Sequence, residues 1–157
     1  MFEILPDRGV VLPRGAGELF SGTSERAAQW AVATLCDVRE TWVCGLEWSF
    51  GATYEGLELL VGGEDVGGLT TVCLERVGPP LAPAAVPVVL DGVDVCGFPQ
   101  DEVGEALADG PAYRSVKLWR SHLPDAYLHA VHLSFVSSGR SVSSARSGRA
   151  IRSSRAR

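Results

Sequence analysis

From Trp42 to Tyr54 every even-numbered position is apolar (Trp42, Cys44, Leu46, Trp48, Phe50, Ala52, Tyr54), while the odd positions between them carry Val, Gly, Glu, Ser, Gly and Thr. Alternation with period two is the mark of a strand with one buried face, and Gly45 or Gly51 is expected to make a turn or bulge within it. The stretches "GLELLV" (56–61) and "LTTVCLERV" (69–77) predict two further strands, joined across "GGEDVGG" as a hairpin. Later in the chain "VPVVLDGVDVCG", "YRSVKLW" and "YLHAVHLSFV" predict strands again.

Between these runs the spacing changes to that of a helix. Ala28, Ala31, Val32 and Leu35 fall at i, i+3, i+4 and i+7, one buried stripe. Val103, Ala106 and Leu107 repeat the first three of these positions exactly 75 residues later. Ser24 is placed to cap the first helix, with Glu25 near its positive end. Pro99 suits the opening of the second, where a missing N–H costs nothing, and Asp101 and Glu102 follow it. A duplicated unit explains both the offset and the matching faces.

The proline-rich "GPPLAPAAVP" divides the units as a stiff, extended linker. The sequence therefore predicts an α+β protein of two repeats, each a helix packed on an antiparallel sheet, with a disordered C-terminal tail. Residues 1–77 form the first repeat, 78–87 the linker, 88–136 the second repeat without its last strand, and 137–157 the tail. That tail has eight Ser, six Arg and no acid, and only Val142 and Ile151 as large aliphatics. It carries too little apolar surface to offset the entropy of ordering.

Charge sharpens this division. Before residue 137 there are eight basic and nineteen acidic side chains, against six arginines and no acid after it. An acidic body repels nucleic acid and favours a basic partner, leaving the tail as the one element suited to nucleic acid. The tail reads as a basic arm, a solvated end, or a truncated or out-of-register stretch. A composition of 13 Arg to one Lys, rich in Gly, Ala and Val, suggests a GC-rich gene and favours the last two.

The start "MFEILPDRG" lacks an apolar leader and the longest apolar runs are broken by proline, so a cytoplasmic protein without a membrane helix is expected. Cys36, Cys44, Cys73 and Cys96 have no metal-ligand spacing and read as buried thiols in a reducing compartment, with a disulfide as the alternative.

No catalytic, metal or cofactor motif emerges. "RGAGELFSG" is neither a dinucleotide loop nor a P-loop, and H-E-x-x-H and G-x-S-x-G are absent. His129 and His132 differ in strand parity and cannot chelate one metal. Asp91 and Asp94 read as turn residues, and His122 as a loop residue, although the three are the candidates for a small enzyme.

The aromatic residues are the stronger lead. Trp30 lies off the buried stripe of its helix and should project outward, where an indole can anchor a partner. Trp42, Trp48 and Tyr54 share the alternating face, which suits core packing beneath a helix or, where exposed, the same partner.

Tandem units of about 75 residues, each a helix opened by a Gly-x-Ser-like motif and followed by strands, resemble the β-lactamase-inhibitory-protein-like fold. Single units of this kind occur in small outer-membrane assembly lipoproteins, whose helix begins Gly-Met-Ser/Thr and continues to an acidic-Val pair. Gly97-Phe98-Pro99-Gln100-Asp101-Glu102-Val103 is similar to that outline, whereas in Gly22–Ala28 Ala27 replaces the acid. The resemblance implies a concave sheet offered to another protein, with no catalytic residues. The leading expectation is a non-enzymatic protein-binding module of inhibitor or immunity type. Its alternatives are a small enzyme using Asp91, Asp94 or His122, and a truncated or frameshifted protein without independent activity. The truncated form would leave an open strand edge beside 127–136.

Overall fold

The computed structural model describes residues 1–111 and 113–135, so the tail expected at 137–157 lies outside the described residues. These residues form a mixed α+β architecture, mostly strand, with two sheets and two α-helices.

The N-terminal segment builds three short strands that the sequence analysis did not anticipate: β1 (Phe2–Leu5), β2 (Gly9–Val11) and β3 (Glu18–Phe20). Helix α1 (Glu25–Ala33) follows, capped as expected by Ser24, whose hydroxyl accepts the Ala27 N–H at 3.4 Å. Next come β4 (Val38–Glu40), β5 (Trp48–Tyr54), β6 (Leu57–Glu64) and β7 (Gly68–Arg76). The remaining elements are β8 (Val88–Leu90), β9 (Val93–Asp94), α2 (Gln100–Ala106), β10 (Val116–Trp119) and β11 (Ala130–Ser134).

The strand order is β3-β2-β1-β8-β9 in one sheet and β10-β11-β7-β6-β5-β4 in the other. Both sheets mix strands from the two halves of the chain. β8 joins the first sheet as a parallel neighbour of β1, with Phe2 opposite Val88 and Ile4 opposite Leu90. β11 joins the second antiparallel to β7, with Val131 opposite Leu74. The expectation of one antiparallel sheet per repeat therefore does not describe the strand pairing. Backbone donors at the ends of β1 and β7 are satisfied by strands distant in sequence, a choice that local patterning does not record. β11 lies between β10 and β7, so the open edge expected beside 127–136 is closed over 130–134.

One cluster of buried apolar side chains runs through both sheets. Phe2 of β1 meets Tyr54 of β5 edge to face, ring centroids 5.9 Å apart. α1 lies across this core against β3 and β4–β7, burying Ala28 and Val32 with Ala31 and Leu35 half-buried, as its stripe predicts. α2 is shorter and packs on β9. It buries Val103 and half-buries Leu107, but Ala106 faces solvent, because seven residues against a two-residue strand cover a single row.

The segment after β7, expected to be extended, makes a turn and is tied to its surroundings. Ala84 N–H donates to Cys96 O at 2.9 Å, and Pro80 O accepts from Tyr127 N–H at 3.0 Å. Pro87 O accepts from Phe2 N–H at 2.8 Å.

The Gly-Thr-Ser start of α1 has a packing purpose. Gly22 N–H donates to Leu69 O at 3.0 Å and Leu69 N–H returns to Thr23 O at 2.7 Å. This brings the backbone of Gly22 so close to Gly68 that a Cβ on Gly68 would collide with it, and Gly68 also holds φ at +69°. Both the left-handed backbone and the contact require glycine. Gly68→Ala should lower unfolding free energy by about 2–4 kcal/mol in urea denaturation. Val66→Ala at the exposed hairpin tip nearby should stay within about 0.5 kcal/mol.

Candidate functional site

A polar concavity forms where α1 passes the loop between β4 and β5. Chain direction reverses in this loop at Cys44-Gly45, with Gly45 at φ +89° and Leu46 N–H donating to Val43 O at 3.3 Å. The turn cuts the long alternating run in two. Its part from Trp48 onward is strand, with the even positions buried, as the pattern predicts. Its part before Gly45 is loop, so Trp42 leaves the expected buried face and stands 81% exposed.

Trp30 projects from α1 at 77% exposure, as its offset from the stripe predicts. Trp48 and Tyr54 are each 7% exposed and pack mostly into the core, Trp48 stacked on Phe50 at 6.2 Å.

A groove of about 580 Å³ opens between Trp42, Trp48 and the first turns of α1. Glu25, Glu40, Glu47 and Asp65 all border it, and among the described residues no basic side chain does. None of the four carboxylates pairs with a cation within 4.0 Å among the described residues. Glu47 anchors the loop to the β6–β7 hairpin by accepting the Asp65 N–H at 2.5 Å, and Glu25 accepts from the Gln29 amide at 3.0 Å. A shallower cleft of about 390 Å³ continues past the shared residues Gln29 and Glu40 to Trp30, Val38 and Arg26. The two indoles thus flank one continuous, predominantly acidic face. Sequence reasoning found Trp30 and overlooked the carboxylates, which come from a helix, a strand, a loop and a hairpin tip.

The enzyme candidates are not brought together. Asp91 sits in the β8–β9 turn at φ +51° and accepts the Tyr113 hydroxyl proton in a hydrogen bond. That bond, with partial desolvation, pushes the Tyr113 phenol up to about 12. Asp94 Oδ1 accepts from Val88 N–H at 3.1 Å and Cys96 N–H at 3.2 Å, a staple across the same turn. His122 borders a different cleft, beside Arg120. Among the described residues no group of three or more His, Cys, Asp or Glu is placed to hold a metal. The comparisons with protein families, curated proteins and solved structures find no match to this chain.

All four cysteines are free thiols, but the expectation that they are buried holds fully for Cys96 alone; Cys36 and Cys73 are half-buried and Cys44 is exposed. Burial pushes the Cys96 thiol up to about 12, with Asp94 adding to the rise and Arg76 opposing it. Burial and Glu75 push Cys73 up to about 11. Cys44 in the groove-side loop should therefore react first with a disulfide reagent in the folded chain. Cys44→Ser should remove that fast phase, while Cys96 labels only on unfolding.

His129 pairs with Glu75 at 3.1 Å, whereas His132 is half-buried beside Lys117. Desolvation, and then the Lys117 charge, lower the His132 pKa below its usual 6.5. As pH falls the unfolded chain takes up this proton before the folded one does, so the contribution is complete above 6.5 and declines below it. Between about pH 7 and pH 5, His132→Gln should flatten the loss of urea stability relative to the parent chain.

Proposed function

We propose that this chain is a non-enzymatic protein-binding module of inhibitor or immunity type, and that the Trp30–Trp42 face receives a basic segment of its partner. The observation that carries this reading is the groove bordered by four carboxylates, with no cation on its border among the described residues, with exposed Trp42 on its wall and exposed Trp30 in the adjoining cleft that Arg26 also lines. Unpaired carboxylates on one face attract a cationic surface and speed its approach. Indole faces hold guanidinium and ammonium groups by cation–π attraction. Large aromatic side chains are also the residue type in which interface energy concentrates. The likeness of Gly97–Val103 to the β-lactamase-inhibitory-protein-like repeats favours the same class of module. A cytoplasmic setting belongs to this proposal, since four unpaired thiols suit a reducing compartment.

The test is titration of the full chain with an arginine-rich peptide by isothermal calorimetry, with a glutamate-rich peptide as control. Trp30→Ala and Trp42→Ala should each weaken binding about ten-fold. Glu40→Gln with Glu47→Gln should weaken it and reduce its dependence on salt. Unchanged affinity in both tryptophan variants would mean that any attraction is diffuse charge, and would overturn the assignment of this face.

A further inference from the structure

A second concavity, of about 540 Å³, opens between the end of β7, the turn that follows it, and the loop between β10 and β11. It shares no residue with the acidic groove. Arg76 and Arg120 give it two guanidinium groups, His122 and His129 add imidazoles, and its apolar surface comes from Pro80, Trp119 and Tyr127.

Arg76 is the unusual member. It is 7% exposed, its guanidinium lies over the Tyr127 ring at 5.6 Å, and Nη2 donates to Pro79 O at 2.7 Å. Its Nε is buried without a hydrogen-bond partner. Among the described residues no carboxylate oxygen lies within 4.0 Å of it. The neighbouring Cys96 thiol, which burial keeps protonated, supplies no balancing charge. A guanidinium cannot discharge by losing its proton, so a buried one without a counter-ion is costly.

The surrounding wall is already built. Gln100, buried at the start of α2, donates to Ser121 O and Leu123 O at 3.3 and 3.2 Å and accepts from Ser121 N–H at 2.8 Å. Arg120 donates to Gln100 O at 2.8 Å. Two carboxylates stand on the rim, Asp101 at 3.4 Å from Arg120 and Glu75 at 3.1 Å from His129, and both are well exposed. They are engaged by Arg120 and His129, and neither reaches Arg76 within 4.0 Å.

We propose that this cleft binds a small organic oxyanion, a phosphate or carboxylate whose charge is met by Arg76 and whose apolar body rests on Trp119 and Tyr127. The volume is that of a small-ligand site, and a guanidinium suits the planar, two-oxygen face of either anion.

Phenyl phosphate, phenylacetate and inorganic phosphate are the probes, titrated separately into the full-length ¹⁵N-labelled chain while the tryptophan indole N–H signals are followed by NMR. Phenyl phosphate or phenylacetate should give a saturable shift of the Trp119 signal, assigned by its loss in Trp119→Phe, and the tighter of the two identifies the anion. Arg76→Met should weaken binding of the tighter probe at least ten-fold. Trp119→Ala should weaken the aryl probe several-fold while leaving inorganic phosphate unchanged. Absence of saturable binding of either aryl probe to the parent chain up to about 10 mM would overturn the proposal without recourse to any variant. Equal affinity in a folded Arg76→Met chain would overturn it as well. Neither result bears on the acidic groove, which stands or falls on its own titration.

Discussion

The approach of the Gly22–Thr23 backbone to Gly68–Leu69 sets the position of nearly everything that faces outward on one side of the molecule. Two reciprocal hydrogen bonds fix the start of α1 on the tip of the β6–β7 hairpin, at a separation that only glycine allows. Once that end is fixed, the stripe from Ala28 to Leu35 lies over the sheets and Trp30 is turned away from them. Glu25, one residue past the cap, then stands beside Asp65 of the same hairpin across the groove. The loop carrying Trp42 closes the remaining side, held by Glu47 to the Asp65 amide.

Charge is distributed unevenly around this frame. On the α1 side, carboxylates from four elements converge with no cation paired to them among the described residues, which costs stability through mutual repulsion and gains attraction for a cationic surface. On the side of the β10–β11 loop, a guanidinium is buried with no carboxylate paired to it among the described residues. Features of either kind weaken an isolated chain, and their presence at concave surfaces is the physical ground for proposing binding at both. The two sites differ in what holds them. The acidic face depends on exposed side chains around a loop, whereas the cleft around Arg76 depends on Gln100, whose three side-chain hydrogen bonds fix its wall.

Much of the secondary structure was legible because its signals are local. The α1 stripe, the Ser24 cap, the parity of β5 from Trp48 onward and the hairpin around Asp65 each depend on neighbours within a few residues. The misreadings have local causes too. β1–β3 are three or four residues long, too short for alternation to stand out, although Phe2 and Ile4 alternate with Glu3. Trp42 was assigned to the sheet because parity continues through Gly45 by coincidence, across a turn that the glycine itself makes. Ala106 carried the right spacing and remained in solvent because no strand reaches beneath it.

The sequence by itself determined α1 with its cap, the strands from Trp48 to Arg76, which side of α1 is apolar, and that the body of the chain is acidic. These follow from side-chain periodicity, capping chemistry and counting, all properties of a chain and its near neighbours. Only the tertiary structure decided that β8 pairs with β1 and β11 with β7, merging two apparent repeats into shared sheets. It likewise decided that Glu25, Glu40, Glu47 and Asp65 meet in one groove and that Arg76 is buried with no carboxylate paired to it among the described residues. Backbone donors at a strand edge accept any partner with the right geometry, and charges interact through space without regard to sequence separation, so neither outcome leaves a mark in the local pattern.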